Sequence, residues 1–303
     1  MVLEGAREVG GRIATGHVGK GTFDHGAQFF TVRSTRFERL VTGWLQAGVA
    51  HEWTRGFADA EGNHSYDGCP RYRGSGGMIS IARHLARALD VRTGERVIEA
   101  NVSSRAWEVR TQPGTRDTGA ALLLTAPVPL ALDLAASGNF ELPDAPRREL
   151  ENVSYDPCLA LMALLDGPTG IPEPGGMQIK GEPLDWIGDN QRKGISAAPC
   201  ITVHAGPKWS REHFESGDEE IERSLLSFAG ERLGRDLTSR VVETSISRWR
   251  HSWVSQAPPT PRGRVAGEPP LLFAGDAFGS PKVEGAALSG LAAADRLIGR
   301  SEE

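Results

Sequence analysis

A segment near the C-terminus combines a predicted strand with residues that could hold an anion. Residues 271–276 read Leu-Leu-Phe-Ala-Gly-Asp, a pattern typical of a buried strand that ends in a glycine and a carboxylate. The helix predicted to follow starts with Glu-Gly-Ala at residues 284–286, and free N–H groups at a helix start favour negatively polarised ligand atoms such as those of a phosphate. Alternatively, Gly-Asp only ends the strand in a turn, and the small residues only allow close helix packing.

A carboxylate and a glycine pair near the N-terminus form a second candidate ligand site. Glu4 follows the apolar pair Val2 and Leu3 at a predicted strand end, and residues 9–12 read Val-Gly-Gly-Arg. In dinucleotide-binding βαβ units, such a strand-end carboxylate holds the ribose hydroxyls. These units carry a strand and a GxGxxG turn roughly 20 residues earlier, whereas three residues precede Glu4. We therefore expect one further βα unit, with the glycine-rich turn, before Glu4; an ordinary loop is the alternative.

An aromatic and basic cluster in the predicted strand around residue 250 could bind a substrate. Trp249, Arg250 and His251 combine an indole, a guanidinium and an imidazole, which together suit an anionic, planar molecule. Alternatively, Trp249 packs in the core while Arg250 and His251 lie at the surface on alternate strand faces. His25 is a further candidate base, although its neighbouring aspartate and glycine favour a hydrogen-bonded turn.

Composition and charge exclude several classes of function. The 34 basic and 39 acidic residues give a net charge of −5 and form no basic segment, which argues against nucleic acid as a partner. No apolar run approaches the roughly 20 residues that cross a bilayer, so we expect no membrane helix. The three cysteines are far apart and match neither a disulfide framework nor a metal site. We therefore expect reduced cysteines, no bound metal and, since no export signal is seen, a cytoplasmic location.

Hydrophobic spacing predicts the elements that must position these residues. It predicts helices over residues 37–47, 78–89, 128–136, 219–233 and 284–299. Short apolar or alternating runs predict strands over residues 96–100, 106–110, 120–126, 159–165 and 200–204. The run at 120–126 ends at a proline and is typical of a buried parallel strand. Connections rich in proline and glycine are expected at residues 167–176 and 181–194.

Taken together, the motifs resemble one protein family along nearly the whole chain. They are Glu4, Val-Gly-Gly-Arg at 9–12, Phe-Asp-His-Gly-Ala-Gln-Phe-Phe-Thr at 23–31, Arg-Tyr-Arg-Gly-Ser-Gly-Gly-Met at 71–78, Asp-Pro-Cys at 156–158, His-Ala-Gly-Pro-Lys-Trp-Ser at 204–210, Ala-Gly-Asp at 274–276 and Val-Glu-Gly-Ala at 283–286. Their order resembles that of bacterial renalase-like FAD-dependent oxidoreductases, which belong to the wider flavin amine oxidase class. The motifs indicate the wider flavin amine oxidase class more specifically than they indicate its renalase-like branch.

The resemblance implies an α/β fold with two domains. The first is a doubly wound, Rossmann-like FAD-binding domain, which in this sequence lacks the N-terminal GxGxxG strand-turn-helix. The second is an α+β substrate domain with a mixed or antiparallel sheet. We expect the FAD-binding domain over residues 1–142, with an inserted substrate-side segment at about 37–75, and again over 260–303. The substrate domain is expected over residues 143–259.

The resemblance also implies a set of cofactor-binding residues. By position these are Glu4 for the adenosine ribose, Val97 for the adenine, Gly10, Gly11 and Arg12 for the pyrophosphate loop, Gly26, Ala27 and Gln28 against the isoalloxazine ring, Gly275 and Asp276 for the ribityl or pyrophosphate contact, and Glu284, Gly285 and Ala286 at the helix start beside the flavin. The FAD is expected to be bound non-covalently. Relatives with a covalent link have a cysteine shortly before the Gly-Asp strand, and no cysteine follows Cys200 here.

The activity implied by the resemblance is hydride transfer from a small substrate to the flavin, with dioxygen as the acceptor that gives hydrogen peroxide. The renalase-like branch implies aberrant isomers of dihydronicotinamide dinucleotides as substrates, and the wider class implies amines. The alternative is a non-catalytic remnant or binding protein that has lost FAD binding, because the missing βα unit would remove the helix that cradles the pyrophosphate.

Overall fold

The computed structural model describes residues 1–59, 63–179, 181–257 and 268–299, and the predicted domain boundary between residues 259 and 260 lies outside them. In the described residues the strands are β1 (Val2–Glu4), β2 (Thr15–Val18), β3 (Gly21–Asp24), β4 (Ala50–Ala58), β5 (His64–Gly74), β6 (Val91–Thr93), β7 (Val97–Ser103), β8 (Ala106–Thr111), β9 (Arg116–Gly119), β10 (Leu122–Leu124), β11 (Ser154–Leu165), β12 (Gly176–Gln178), β13 (Leu184–Asp189), β14 (Cys200–Ala205), β15 (Val241–Gln256) and β16 (Leu271–Phe273). The helices are α1 (Thr35–Gln46), α2 (Ile79–Ala86), α3 (Val128–Ala135), α4 (Asp144–Glu151), α5 (Pro207–Glu212), α6 (Asp218–Leu233) and α7 (Val283–Leu297).

The helices form where the apolar spacing predicts them. In α1 the buried residues Phe37, Val41 and Trp44 follow one face, and Ser34 Oγ accepts from Phe37 N at 3.3 Å to cap the helix start. Helix α6 ends at Gly234, whose φ of 62° suits a left-handed cap. The predicted helices are therefore confirmed, with ends that differ by a few residues.

A seven-stranded sheet forms the larger core, in the order β15-β11-β14-β13-β12-β4-β5. Neighbouring strands are antiparallel, except that β12 and β4 pair in parallel at Met177 and Ala58. Strand β11 is buried from Cys158 onward because the sheet is covered on both faces: Leu159 and Leu161 pack with residues of α6, while Met162 packs with the hairpin β2–β3.

One predicted connection is wrong. Residues 181–194 contain β13, which pairs antiparallel with β14. Leu184, Trp186 and Ile187 are buried there, so a central position in the sheet outweighs the neighbouring glycines and proline. The strand brings Trp186 and Gly188 into the interior.

The remaining strands form the Rossmann-like part of the mixed α/β fold. β1 pairs in parallel with β6, and β10 in parallel with β16, as the apolar run at 120–126 predicts. Strands β7, β8 and β9 form an antiparallel sheet beside them. Trp107, Val128 and Phe273 share the core between this sheet, α3 and β16. The predicted α/β fold with a mixed sheet is confirmed, while the βα unit expected before Glu4 stays a prediction.

The sheet also links the segment at 37–75 to the middle of the chain, because β4 and β5 join the strands of residues 154–256. The division into domains stays a prediction. Within the described ranges, the helices are too short or too polar to cross a membrane.

Candidate active site

An arginine–aspartate pair joins the two glycine-containing loops predicted to bind the cofactor. Arg12 lies in the turn after β1, and Asp276 follows β16, 264 residues later in the sequence. Arg12 Nη1 donates to Asp276 Oδ2 at 2.7 Å, and Nη2 donates to Oδ1 at 2.5 Å. Such a two-pronged pair fixes orientation as well as distance. The pair thus ties the loop that contains Gly10 and Gly11 to the loop that contains Gly275.

The backbone beside this pair faces open space. Gly11 has a φ of 53° and Gly275 a φ of 145°, conformations that residues with a Cβ rarely adopt. Among the described atoms, none lies within 4 Å of the position a Cβ would take on Gly11, and Thr125 O lies 4.0 Å from that position on Gly275. These glycines therefore leave a cradle that a bulky cofactor can fill.

The segment Gly26, Ala27 and Gln28 is fastened to the same arginine. Ala27 N donates to Arg12 O at 2.9 Å. A Cβ on Gly26 would lie 2.1 Å from that oxygen, so only glycine allows the approach. The structure thus brings the predicted ring-facing segment against the predicted pyrophosphate loop.

Glu4 and Val97 lie at neighbouring strand ends. Glu4 ends β1, and its carboxylate Oε1 accepts from Ala6 N at 2.8 Å. Its backbone oxygen accepts from Glu95 N at 2.9 Å, two residues before Val97 opens β7. The predicted ribose and adenine ligands are therefore close together.

The Glu284 carboxylate has a role that the sequence did not predict. Glu284 is buried at the start of α7, where its Oε1 accepts from Ser34 N at 2.7 Å and its Oε2 from Arg33 N at 3.0 Å. The carboxylate therefore anchors the start of α1. Both carboxylate oxygens of Glu284 are thus already engaged by backbone N–H groups.

The next two residues of α7 are fixed by packing. A Cβ on Gly285 would lie 1.9 Å from Ser280 O, so the close approach of the preceding loop requires glycine. Ala286 N donates to Lys282 O at 3.0 Å, which closes the first turn of the helix. The small residues here allow close packing, as the alternative interpretation of this segment states.

Strand β15 brings Trp249 and His251 to the same region. Trp249 Nε1 donates to His25 O at 2.8 Å, and the two rings stack with centroids 5.2 Å apart. His251 O accepts from Arg12 Nη1 at 3.3 Å, and the His251 ring lies 5.5 Å from that of Tyr155. Burial lowers the pKa of His251, and the charges of nearby arginines lower it further.

Arg250 lies away from this group, as the alternative interpretation of this cluster states. Its side chain is 63% exposed and pairs with Glu215 at 2.7 Å. Its guanidinium lies 4.3 Å from the ring centroid of Phe214. Because successive strand residues point to opposite faces, Arg250 points away from Trp249 and His251.

His25 is held by a distant strand, not by a local turn. Its Nδ1 lies 2.9 Å from Ser247 Oγ on β15. Burial lowers the pKa of His25 from its ordinary value of 6.5, and the charge of Asp24 opposes this shift. The lowered pKa of His25 favours its neutral imidazole form.

A buried ion pair beside residues 26–28 was missed by sequence reasoning. Asp24 ends β3, and its Oδ2 accepts from Lys193 Nζ at 2.6 Å, with side-chain exposures of 0% and 1%. Asp24 Oδ1 accepts from Thr15 Oγ1 at 2.5 Å and from Met78 N at 2.8 Å. Burial lowers the pKa of Lys193, and Asp24 opposes the shift. Asp24 lies within a recognised motif, but Lys193 lies in a loop that carries no signal.

Gln28 and His204 continue this polar network. Gln28 Nε2 donates to Asp24 O at 2.5 Å and lies 3.4 Å from His204 Nε2. Burial lowers the pKa of His204 to about 4, helped by the charges of His25 and Lys193 and opposed by a hydrogen bond to the His25 backbone. The region next to the predicted ring-facing segment therefore holds neutral imidazoles and an amide.

Comparison with known proteins identifies the family. Residues 32–298 match the family described as flavin containing amine oxidoreductase. This chain belongs to that family. Renalase of Mus musculus is 22% identical over 300 residues, which cover 94% of this chain and 86% of the mouse protein.

Solved structures of putrescine oxidase share the fold of this amine oxidoreductase. The wild-type enzyme bound to putrescine has a TM-score of 0.71 at 14% identity, over 99% of this chain and 93% of that one. A variant of the same enzyme with redesigned cofactor binding has the same TM-score. The fold match covers both the Rossmann-like part and the large sheet.

The flavin amine oxidoreductase is therefore an FAD-dependent oxidoreductase, as its motifs predict, and it is similar to renalase. FAD is its cofactor. The cradle at Gly11 and Gly275 fits this cofactor, because it offers open space next to a guanidinium. The sequence named these glycines, Arg12 and Asp276 as candidates, and their role as cofactor ligands stays a prediction, whereas it gave no role to Lys193.

Proposed function

We propose that this enzyme oxidises a dihydronicotinamide dinucleotide in an aberrant isomeric form, with dioxygen as the final acceptor. The bound FAD supplies the acceptor for a hydride. The substrate loses two electrons and one hydrogen as that hydride and becomes an aromatic pyridinium ring, and dioxygen takes up the two electrons with two protons to give hydrogen peroxide. The chain's own residues bind and orient the substrate.

The cofactor-binding part of the proposal rests on the residues brought together beside Arg12. We assign Gly10, Gly11 and Arg12 with Gly275 and Asp276 to the pyrophosphate and ribityl region, and Gly26 to Gln28 to the ring. Glu4 and the backbone of Val97 are assigned to the adenosine. Asp276 and the backbone oxygens of His251 and Ser252 orient the guanidinium, whose Nε donates to no group within the described residues and is the donor assigned to a phosphate.

The partners of the buried carboxylates indicate which class of substrate the enzyme favours. In the described part of the chain, the buried carboxylates are those of Asp24, Asp189, Asp276 and Glu284. Each one already accepts hydrogen bonds from groups of the protein: from Lys193, Thr169, Arg12 and the backbone of Ser34, respectively. A buried ammonium is compensated best by a carboxylate that is not already paired. Each of these four carboxylates is paired, which favours a substrate without an ammonium group.

The other charges near the network favour an anionic substrate. Lys193 and Asp24 neutralise each other. Arg73 is partly buried, and its guanidinium donates to the backbone oxygens of Gly74 and Ser75 at 3.1 and 3.2 Å. Because an arginine stays protonated, Arg73 leaves one positive charge in excess. A substrate with phosphate groups complements this charge.

The experiment compares two classes of substrate on the FAD-loaded enzyme. Bleaching of the flavin absorbance without oxygen, and peroxide release in air, are followed with dihydronicotinamide dinucleotide isomers and with a panel of amines that includes putrescine. We expect the dihydronicotinamide isomers to reduce the flavin and the amines to leave it oxidised. Rapid reduction by an amine, with none by the dinucleotides, would overturn the assignment.

The organisation into domains forms part of the same proposal. We assign the cofactor to the Rossmann-like residues at both ends of the chain, and the substrate to the large sheet that β4 and β5 share with residues 154–256. Gly26 to Gln28 and Trp249 then lie where the two parts meet, since Trp249 belongs to β15 and contacts the segment through His25.

A further inference from the structure

The side chain of Arg73 is partly buried and forms no ion pair within the described residues. Its Nη1 donates to Gly74 O at 3.1 Å and to Ser75 O at 3.2 Å, and these backbone oxygens carry no full charge. Burial lowers the pKa of Arg73, and the charge of Asp24 opposes this shift. Asp24 is itself bound by Lys193 at 2.6 Å. Because an arginine stays protonated, this partly desolvated guanidinium would be stabilised by an anion.

One edge of the Arg73 guanidinium is open. In the described part of the chain its Nε and Nη2 donate to no group, and neither atom is fully buried, so both keep accessible surface. A Cβ on Gly194 would lie 2.9 Å from Nη2 and 3.9 Å from Nε. Glycine at this position therefore leaves uncovered an edge that another residue would cover. The two N–H groups of such an edge match two oxygens of a phosphate.

Backbone contacts place Arg73 beside the predicted ring-facing segment at residues 26–28. Tyr72, its neighbour on β5, accepts from Phe30 N at 3.0 Å and donates to Phe30 O at 2.8 Å, two residues beyond that segment. On the other side of the segment, the charge of Asp24 acts on Arg73. The guanidinium therefore lies near the region that we assign to the flavin ring and the substrate.

Two partly exposed aromatic rings lie in the same region. Phe29 and Trp53 are only partly buried, and their ring centroids lie 6.5 Å apart. Lys193 Nζ lies 5.0 Å from the ring centroid of Trp53, which places this ring near the loop that contains Gly194. A planar ring can pack against such rings by offset or edge contacts. The region thus combines apolar surface for a planar ring with a cation for a phosphate.

We propose that Arg73 binds a phosphate group of the substrate through its Nε and Nη2 atoms. The inference rests on the proposed function and adds the residue by which the enzyme selects a nucleotide over a dihydropyridine without phosphate. The FAD is the other source of a phosphate, and the proposed function assigns its pyrophosphate to the loop at Arg12. Binding of the substrate phosphate and binding of FAD must therefore be measured separately.

The test measures binding without turnover. The oxidised, FAD-loaded enzyme is titrated in a calorimeter with nicotinamide mononucleotide, which carries one phosphate, and with nicotinamide riboside, which lacks it. We expect the mononucleotide to bind about tenfold more tightly or better, because its phosphate accepts charge-assisted hydrogen bonds from the guanidinium. The dissociation constant of FAD is measured on the same preparations.

Variants assign the preference for the mononucleotide to one side chain. Arg73→Gln removes the charge and should bring the two affinities within about twofold of each other. Arg73→Lys keeps the charge but not the planar pair of N–H groups, so it should keep part of the preference. Arg55→Gln is the matched control, because it removes the same charge from the neighbouring strand, where Arg55 Nε already donates to Glu52 at 2.7 Å. The control should leave the preference unchanged.

Three results would overturn the inference. The first is a wild-type enzyme that binds the two probes equally or binds neither. The second is a preference for the mononucleotide that persists in Arg73→Gln. The third is a loss of FAD from Arg73→Gln with an unchanged preference in the FAD-saturated variant, which would assign Arg73 to the cofactor. If Arg73→Gln does not fold, a smaller preference in Arg73→Lys than in Arg55→Gln supports the inference, and equal preferences contradict it.

These outcomes are distinct from those that test the proposed function. Flavin reduction by dihydronicotinamides in an enzyme that binds both probes alike would leave the proposed function intact and refute the phosphate site. Conversely, a preference that depends on Arg73, in an enzyme that does not oxidise dihydronicotinamides, would support the phosphate site and contradict the proposed function.

Discussion

Lys193 Nζ lies 2.6 Å from Asp24 Oδ2, and both side chains are almost fully buried. Asp24 also accepts from Met78 N at the start of α2 and from Thr15 Oγ1 on β2. The pair therefore joins the loop after β13 to the hairpin β2–β3 and to α2. It holds in place the backbone that leads into Gly26 and Gln28.

Replacing Lys193 with methionine should destabilise the protein strongly. The variant keeps an apolar side chain of similar length but leaves the Asp24 carboxylate buried without its partner charge. Removing one member of a buried pair costs about 3–5 kcal/mol of unfolding free energy. Urea unfolding of Lys193→Met against the wild type measures this loss.

The double variant Lys193→Met with Asp24→Asn provides the control. Because the neutral amide no longer needs a counter-charge, the double variant should recover part of the lost stability. A double variant no more stable than Lys193→Met would show that the charge of Asp24 is not what destabilises the single variant. An exposed pair such as Arg83 and Glu8 should cost less than about 1 kcal/mol when broken.

His204 should make the folded protein less stable in acid. Its pKa is about 4 in the folded chain, below the ordinary 6.5, so the unfolded chain binds more protons between these values. Stability is therefore complete above pH 6.5 and falls as the pH decreases toward 4, by about 3 kcal/mol. Urea unfolding at a series of pH values measures the fall.

The variant His204→Gln tests the origin of this pH dependence. It retains a side chain that forms hydrogen bonds but cannot titrate. The fall in stability between pH 6.5 and 4 should shrink by most of that amount, and the remainder includes His25, whose pKa is also lowered. An unchanged fall would assign the acid sensitivity to other groups.

Arg12→Lys should weaken FAD binding. Lysine keeps the charge but cannot donate to both oxygens of Asp276, so the loop at Gly10 and Gly11 loses its fixed orientation toward Gly275. We expect the dissociation constant of FAD to rise about tenfold or more. Flavin fluorescence released on dilution of the loaded protein measures the change.

Arg36→Lys is the matched control for this variant. Arg36 forms a comparable bond with Asp295, at 2.5 Å, between α1 and α7. Arg36→Lys should lower stability slightly and should reduce flavin retention much less than Arg12→Lys does. Equal loss of flavin in both variants would mean that general stability, and not the loop at Arg12, controls retention.

The sequence predicted the parts of the site that lie in glycine-rich turns. Gly275 and Asp276 after an apolar strand carry a local signal, whereas the segment at 26–28 was assigned only through the family resemblance. The family resemblance assigned Arg12 and Asp276 separately to the cofactor, and their pairing was not predicted. Local patterns alone do not bring together residues 264 positions apart.

Some residues in and beside the large sheet were not predicted, because their contacts are also distant in the sequence. Trp186 and Gly188 lie in a stretch rich in glycine and proline that forms a strand only because β12 and β14 flank it. Lys193 meets Asp24 across 169 residues. Such contacts are set by tertiary packing, and a single sequence carries no pattern for them. The sequence left two positions open for Arg250, because residue type indicated a ligand while its strand face was not known.

Trp249 and Arg250 should differ in their effect on catalysis. Trp249→Phe removes the hydrogen bond to His25 O and should lower kcat/KM for the substrate, because the stacked His25 lies next to the predicted ring-facing segment. The stability cost should be about 1 kcal/mol. Arg250→Ala removes an exposed ion pair and should leave the kinetics unchanged. Steady-state kinetics of both variants measure this difference in kcat/KM. An equal loss of kcat/KM in the two variants would contradict the placement of Trp249 beside the site and of Arg250 away from it.

Two glycines of α7 should respond in opposite ways to alanine. A Cβ on Gly285 would lie 1.9 Å from Ser280 O, whereas the Cβ position on Gly290 has no described atom within 4 Å. Gly285→Ala should push the preceding loop away, cost about 2 kcal/mol or more and reduce flavin retention. Gly290→Ala should stabilise the helix by about 0.5–1 kcal/mol, since alanine loses less entropy there. Thermal unfolding with flavin release measured in parallel checks both, and stabilisation by Gly285→Ala would refute the close approach at the start of α7.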